Sequence, residues 1–335
     1  MADVKIAIIS FEHMHACSYA HLLASMPGAQ LVAAAESDPA RLEQMRGHFP
    51  RIPAWFCDFH EMLDKVETDA VIITSANASH EPIAVECARR GKHILCEKPL
   101  AARVDDGLRM ISAAREHGVK LMTAFPVRFS PAIRQAKRHI QNGELGRIIG
   151  ACTSNHGSMP GGWFIEKEKS GGGAVMDHTV HVADLLRYLL EDEVDEVYAE
   201  YGTRLHDIWI DDVGQLALRF RKGTFATLDT SWSRPRSYSI WGDVKLTIKG
   251  EKANIAVNCF PRTVNHYDNK TMHHQAASIS ENLDALMIEE FVRAITEDRE
   301  PEVTGLDGLR ALEVALAAYA AGEKNSVVKL KLAGA

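Results

Sequence analysis

Three stretches of this chain carry residues able to move protons. The first is Lys92-His93-Ile94-Leu95-Cys96-Glu97-Lys98-Pro99. Ile94 to Cys96 is apolar and predicts a buried strand, which ends on a carboxylate, an ammonium and a proline. Pro99 removes a backbone donor and disfavours helix at Lys98, so the chain must leave the strand extended or turning. Ligands of open α/β sheets bind at the carboxyl ends of strands, which makes Glu97 and Lys98 candidates for acid–base work. The competing reading is a surface ion pair, since charged side chains are mostly exposed.

The second stretch is Ser170-Gly171-Gly172-Gly173, followed by Asp177, His178, His181 and Asp184. The glycines precede a predicted helix that runs to about Leu190. Asp177, His181 and Asp184 stand four and three residues apart and share one face, while Val182, Leu185, Leu186 and Leu189 take the buried side. His178, three residues before His181, can turn to the same cleft. A histidine beside carboxylates suits general acid–base catalysis. A lone helical histidine is more often structural; a His-Asp set after three glycines weighs towards function.

The third stretch follows a strand predicted over Lys5–Ile9 and reads Ser10-Phe11-Glu12-His13-Met14-His15. Strand, turn, helix and a second strand ending in Glu36 make the frame of a dinucleotide site. An acid at that place binds the adenosine ribose hydroxyls of NAD and repels the 2′-phosphate of NADP. Glu36 also reads as a helix-start carboxylate near Asp38-Pro39. The glycines of a G-x-G-x-x-G fingerprint are absent: their positions fall on Ser10, Glu12 and His15. Two readings stay open. The loop is remodelled and still holds a dinucleotide on helix N-terminal amides, or His13, His15 and Glu12 have replaced it with something else, such as a metal. Two imidazoles alone do not make a metal site.

The elements that must position these residues alternate at first. Strands are predicted over 5–9, 31–35, 70–74, 94–96 and 120–124, with helices over 17–26, 40–48, 58–63, 82–90 and 105–116. That order implies right-handed crossovers and a parallel sheet. Ser130 and Pro131 open a helix running to about Asn142, with serine as cap. Ile148 to Asn155 alternates as a strand, and Pro160 to Phe164 is a loop with a large aromatic, Trp163. From Val194 the pattern turns strand-rich, over 197–201, 213–220, 225–232, 244–249 and 253–257, which predicts an antiparallel sheet with a face free for a partner subunit. His273 and His274 fall in a polar stretch that is either exposed or returns to the cleft. Helices over 282–296 and 305–321 are expected to pack back on the first domain, and 327–330 to close as a strand.

At 335 residues the chain exceeds one ordinary core, and two domains are expected, 1–124 and 125–335. The formal net charge of −7, without a basic run, disfavours nucleic acid and membrane surfaces. No signal-peptide pattern or membrane-length apolar stretch is present. The six cysteines are scattered without paired spacing, which fits reduced thiols in a cytoplasm.

Several short motifs together resemble the Gfo/Idh/MocA family, named for glucose-fructose oxidoreductase, inositol dehydrogenase and MocA. They are Asn77-x-x-His80, Gly91-Lys92-His93, Glu97-Lys98-Pro99, Arg128-Phe129-x-Pro131, Gly143-x-Leu145-Gly146, Gly171-Gly172-Gly173, Asp177 through His181, Asp184 and Gly305-x-Asp307-Gly308. The resemblance covers nearly the whole chain. It implies an α/β protein: an N-terminal Rossmann-type parallel sheet and a C-terminal α+β domain on an open, mainly antiparallel sheet, often used for oligomerisation into dimers or tetramers. It implies oxidation or reduction of a sugar, cyclitol or related polyol with NAD or NADP, of which Glu36 favours NAD. Lys98 would contact the reacting hydroxyl and nicotinamide ribose, with Asp177 and His181 carrying proton relay and substrate binding. The alcohol would lose its proton to His181, and Asp177 would hold that imidazole in the needed tautomer.

On this reading the cofactor lies against Ser10, Phe11, Glu12, His13, Met14, Glu36, Thr74, Asn77, His80, Glu97 and Lys98. The substrate meets Trp163 as an apolar platform, Arg128 or Asn155 reading hydroxyls, and His178. The sequence departs from the family at the fingerprint and at His178-Thr179, where an apolar residue and glycine are usual. His13, His15, His178 and His181 are therefore kept as an alternative metal cluster, which would serve a non-redox lyase, isomerase or hydrolase.

Overall fold

The computed structural model describes residues 3–238, 240, 242–260, 262–268, 272–279 and 281–334, with the backbone alone for 262–268 and 273–279. The first third alternates as expected: β1 (Val4–Ile9), α1 (His15–Leu23), β2 (Ala29–Ala35), α2 (Pro39–His48), β3 (Trp55–Phe56), α3 (Phe59–Lys65), β4 (Ala70–Ile73), α4 (His80–Arg89), β5 (His93–Cys96), α5 (Val104–Glu116) and β6 (Leu121–Thr123). Its strands are apolar without alternation because helices cover both faces. They pair in parallel in the order β3-β2-β1-β4-β5-β6, the doubly wound order with its switch point between β1 and β4. Helix α1 begins two residues earlier and ends three residues earlier than the apolar pattern predicts; Ala24 caps it before Gly28. The two-residue β3 is absent from the predicted strands, being too short for any periodicity.

The rest of the chain runs α6 (Pro131–Gln141), β7 (Ile148–Gly157), a single turn α7 (Lys167–Ser170), α8 (Ala174–Leu190), β8 (Val194–Gly202), β9 (Val213–Phe220), β10 (Phe225–Ser231), β11 (Gly242–Gly250), β12 (Asn254–Asn258), β13 (Arg262–Asp268), β14 (His273–Ile279), α9 (Leu283–Thr296), α10 (Gly305–Lys324) and β15 (Val328–Lys329). The large sheet has the order β12-β11-β7-β10-β9-β8-β15. It is antiparallel except where β10 lies parallel to β7. Beyond it, β13 and β14 form a hairpin that contains His273 and His274, whose side chains lie outside the described residues.

Helix α8 is buried on nearly every side, sandwiched between the large sheet and α10. Helix α9 packs on α1, where Ser18 donates to Asp284 at 2.8 Å, and α10 packs on α5 as well as α8. Ser130 precedes α6 as expected, but its hydroxyl donates to the Cys259 carbonyl at 3.3 Å and makes no helix cap. No helix among the described residues is long and apolar enough to cross a membrane.

Candidate active site

Strand β5 delivers Glu97 and Lys98 to the carboxyl edge of the parallel sheet. Glu97 is fully buried. Its carboxylate takes the Tyr19 hydroxyl, His15 Nδ1 at 3.0 Å and the Lys98 backbone N–H at 3.0 Å. Burial works against the charge, but His13, His15 and Lys98 outweigh it and hold the carboxyl far below the usual range. The Lys98 ammonium turns the other way and pairs with Asp177 on α8. Asp177 also accepts the Trp232 indole N–H at 2.9 Å and stands 3.3 Å from His178 Nε2. Burial is again overcome, by Lys98 and His178, and the carboxyl is held well below its ordinary value.

Around these groups lies a cavity of about 580 Å³, lined by His13, His15, Lys98, Asp177, His178 and His181, together with Phe164, Asn282 and Asp284. That is the size of a small-molecule site. Asp177 does not hold His181, contrary to expectation. The His181 Nδ1 is buried without a hydrogen-bond partner among the described residues, and its ring packs edge-on against Phe125. Burial and the nearby Lys98 charge keep this imidazole well below its usual pKa, so it is neutral.

The start of α8 explains the triple glycine. A Cβ on Gly173 would lie 2.0 Å from the Asp211 carbonyl. That close approach lets Asp211 bind the Gly173 and Val175 amides at 3.0 and 2.8 Å, while the Tyr319 hydroxyl takes Gly173 and Met176. The glycines therefore fix α8 in place, with its first amides taken by Asp211, Tyr319 and Gly173. Asp211, Tyr319, Tyr19 and Trp232 had no motif to announce them; each acts on a residue that did.

A second cavity, of about 610 Å³, lies at the carboxyl ends of β1, β2 and β4. Glu36 lines it but is itself fully buried and accepts the Phe11 and Asp38 amides at 2.6 and 2.9 Å. Ser10 Oγ also donates to it at 3.4 Å and the Arg41 guanidinium stands 3.6 Å away, so a ribose hydroxyl would compete for acceptor sites that are already engaged. Ser10 adopts a left-handed φ of 74°, so the first turn of the fingerprint survives without its glycine. The groove lies at the switch point, where dinucleotides bind in doubly wound sheets.

The phosphate cradle is rebuilt. The amides of Phe11, Glu12, His13 and His15 bind Glu36, Ser10 Oγ, the Thr74 carbonyl and His13 Nδ1. Thr74 secures the loop further by donating to the Ser10 carbonyl at 2.7 Å. The Glu12 carboxylate accepts the Ala76 amide at 2.9 Å, and the Trp163 indole donates to the Glu12 carbonyl at 3.1 Å. Glu12 also lines the second cavity.

Several sequence expectations need correcting. Arg128 is buried and bound to Asp184, Asp307 and the Glu302 carbonyl, so it braces α8 and cannot read a hydroxyl. Asp184 accordingly faces Arg128, off the cleft. Asn155 is fully buried in β7, donating to the Asp243 carbonyl. Trp163 stacks on Phe164 with centroids 3.9 Å apart and covers the β1–α1 loop; Phe164 takes the place at the cavity wall. His80 is fully buried against the Ser75, Pro99 and Leu100 carbonyls and shapes the turn after Lys98. Asn77 donates to the Ser170 carbonyl at 2.8 Å, tying β4 to the segment before α8. Met14, by contrast, lines the cavity. The described residues bring His13, His15 and Glu97 together as possible metal ligands, within 4.8 Å of one another, and not the four histidines of the alternative metal reading.

Comparison with known proteins adds three findings. Residues 4–125 match the family model described as "Oxidoreductase family, NAD-binding Rossmann fold", and 133–256 match "GFO/IDH/MocA C-terminal domain". Among curated proteins, the myo-inositol 2-dehydrogenase of Thermotoga maritima is 28% identical over 93% of this chain and 95% of its own. An inositol 2-dehydrogenase of Rhizobium meliloti is 30% identical over 89% and 91%. Among solved structures, a probable dehydrogenase from Thermotoga maritima superposes with a TM-score of 0.82 at 25% identity, covering 97% and 98% of the two chains. None of these supports the non-redox alternative.

Proposed function

The chain belongs to the Gfo/Idh/MocA family of NAD-binding oxidoreductases, and from that premise we propose that it interconverts a secondary alcohol and a ketone on a sugar, cyclitol or related polyol. The observation that carries this reading is the Lys98–Asp177 pair inside a cavity beside the dinucleotide groove. A bound nicotinamide supplies the hydride acceptor or donor. The protein supplies the rest. Lys98 lies against the reacting oxygen and stabilises the charge that develops there. Asp177 fixes the lysine, with Trp232 and His178 fixing Asp177 in turn. His181, neutral and buried, offers a hydrogen bond to a second hydroxyl. Phe164 provides the apolar wall for ring carbons.

Residues 1–124 serve the cofactor and later residues chiefly the substrate. NAD is the cofactor expected over NADP, because Glu36 and Glu12 line the groove and a carboxylate there would repel a 2′-phosphate. The relatives named as inositol dehydrogenases make inositols the first substrates to try. The test is a fluorescence titration with NADH and NADPH, followed by NAD reduction assays across inositols and aldoses. Tighter binding of NADH and reduction with a polyol are expected. A protein that binds neither dinucleotide, or turns over no polyol, would refute the reading.

A further inference from the structure

The substrate cavity is short of positive charge. Lys98 is the only lysine or arginine among the described residues that line it, and Asp177 already holds that ammonium. Two further carboxylates, Glu281 and Asp284, line the same cavity, and the buried Glu97 is bonded to His15 on its wall. Even with His15 charged, the four carboxylates Asp177, Glu281, Asp284 and Glu97 face only two cations, Lys98 and His15. Lys98 is committed to the reacting oxygen, so an anionic group on the substrate would find no cation of its own.

Asp284 stands in the first turn of α9, where an acid favours the helix. The capping there is done by Asn282, whose side chain accepts the Asp284 and Ala285 amides at 3.0 and 3.2 Å. Asp284 Oδ2 accepts from Ser18 Oγ at 2.8 Å, and Oδ1 has no donor among the described residues. Burial outweighs the help of His15 and Ser18 and raises this carboxyl above its ordinary value. A carboxylate taken from water with a single donor is left short of compensation, which a cation beside it supplies. Two imidazoles on the cavity wall lack partners as well. His13 Nε2 and His181 Nδ1 have no hydrogen bond among the described residues, although the two residues are only 2% and 4% exposed. Buried polar atoms are ordinarily satisfied, so a ligand with several polar groups completes this wall. His13 Nδ1 accepts the His15 backbone N–H at 3.1 Å, so Nε2 of the neutral ring carries a proton and suits a hydroxyl oxygen. Ionised Asp284 can only accept, and suits a donor.

We propose that the substrate is a polyol bearing a protonated amine, an amino-cyclitol or amino sugar, whose ammonium is received by Asp284. The proposal rests on the oxidoreductase reading and names the substrate class within it. An ammonium brings three donors and a full charge to a carboxylate that has one donor, and hydrogen bonds between charged groups are the strong ones. The amine is a handle and takes no part in the redox step; hydride leaves a different carbon, one whose hydroxyl meets Lys98. Lys98 and Asp284 line the one cavity and both act on the charge of His15, in opposite senses, so both stand near one imidazole. A neutral polyol offers Asp284 only a hydroxyl. A uronate or sugar phosphate would bring an anion towards Glu281 and Asp284 with no guanidinium or ammonium to meet it.

The experiment measures NAD reduction at pH 7 with three sets of compounds. They are myo-inositol and glucose, the monoamino-deoxy isomers of each, and the acids glucuronate and glucose 6-phosphate. For the best amine, kcat/KM should exceed that of its neutral parent at least ~10-fold, the low end for a hydrogen bond to a charged group. The acids should fall at least ~10-fold below the neutral parent, as like charges brought together in a cavity require. Asp284→Asn keeps an acceptor for Ser18 but loses the charge. Once an unfolding curve shows it folded, its amine-to-neutral ratio should drop towards unity, chiefly through the KM of the amine. If it does not fold, salt takes its place: the wild-type KM for the amine should rise with ionic strength while that of the neutral parent holds. An amine turned over no better than its neutral parent, or an acid turned over as well as that parent, would overturn this proposal alone. So would an unchanged ratio in folded Asp284→Asn, or an amine KM indifferent to salt. A wild type that turns over none of the compounds would remove the oxidoreductase reading first and this one with it.

Discussion

The loops after β1 and β5 face each other across the same crevice and have been treated oppositely. The β5 loop keeps its family residues, each with a single role. Glu97 gathers donors, Lys98 reaches the cavity, and His80 holds the turn behind them. The β1 loop has lost all three fingerprint glycines but not its path. Ser10 keeps the left-handed turn, and every amide from Phe11 to His13 has an internal acceptor. A backbone route can outlast the residues that usually make it when side chains supply the missing contacts. The cost falls on what the route was for, since the amides of a fingerprint loop ordinarily await a phosphate.

The two loops should therefore answer differently to mutation. Lys98→Ala is expected to lower kcat by ~10²–10³-fold, the range for removing one oxyanion-stabilising donor, with NADH affinity within about 3-fold. Comparable turnover would break the contrast, because the retained loop would then be structural too.

The rebuilt loop should show itself in acid instead. His13 is buried beside Glu97 and His15, and burial lowers its pKa to about 3. Below pH 6.5 the unfolded chain binds a proton that the folded chain refuses, so stability is lost as pH falls from 6.5 towards 3. Between pH 6.5 and 5 that amounts to roughly 2 kcal/mol. Urea unfolding of wild type and His13→Gln at pH 7 and pH 5 reads it: the variant should lose about that much less.

Glu12→Ala should tighten NADH about 10-fold, or ~1.4 kcal/mol, by freeing the Ala76 amide and removing a carboxylate from the phosphate path. Unchanged affinity in calorimetry would place Glu12 outside that path. Smallest of all, Trp163→Phe keeps the stacking on Phe164 but loses the bond to Glu12, and about 3-fold tighter NADH is expected.

Much of the molecule is legible from one chain. Alternating apolar strands and helices imply the doubly wound sheet, and short motifs locate Lys98, Asp177 and His181. Residue type alone misassigns Arg128, Asn155 and Trp163. A guanidinium, an amide and an indole are equally good at binding a sugar and at satisfying buried carbonyls and carboxylates. Which they do depends on partners far along the chain: Asp184 and Glu302 for Arg128, Asp243 for Asn155, Glu12 for Trp163. His15 is visible as a histidine in a glycine's place, but its partner Glu97 stands 82 residues away. No spacing rule spans that separation.

Tyr319, which closes the start of α8, lies 146 residues downstream of the Gly173 amide it binds. Chains emerge from the ribosome N-terminus first. The parallel sheet, the β5 loop and α8 itself are therefore all synthesised before the hydroxyl that finishes the helix end. A nascent chain stalled before residue 305 would carry every proton-moving residue in the cavity and still lack their last support. The start of α8 is completed only once α10 has been made and docks.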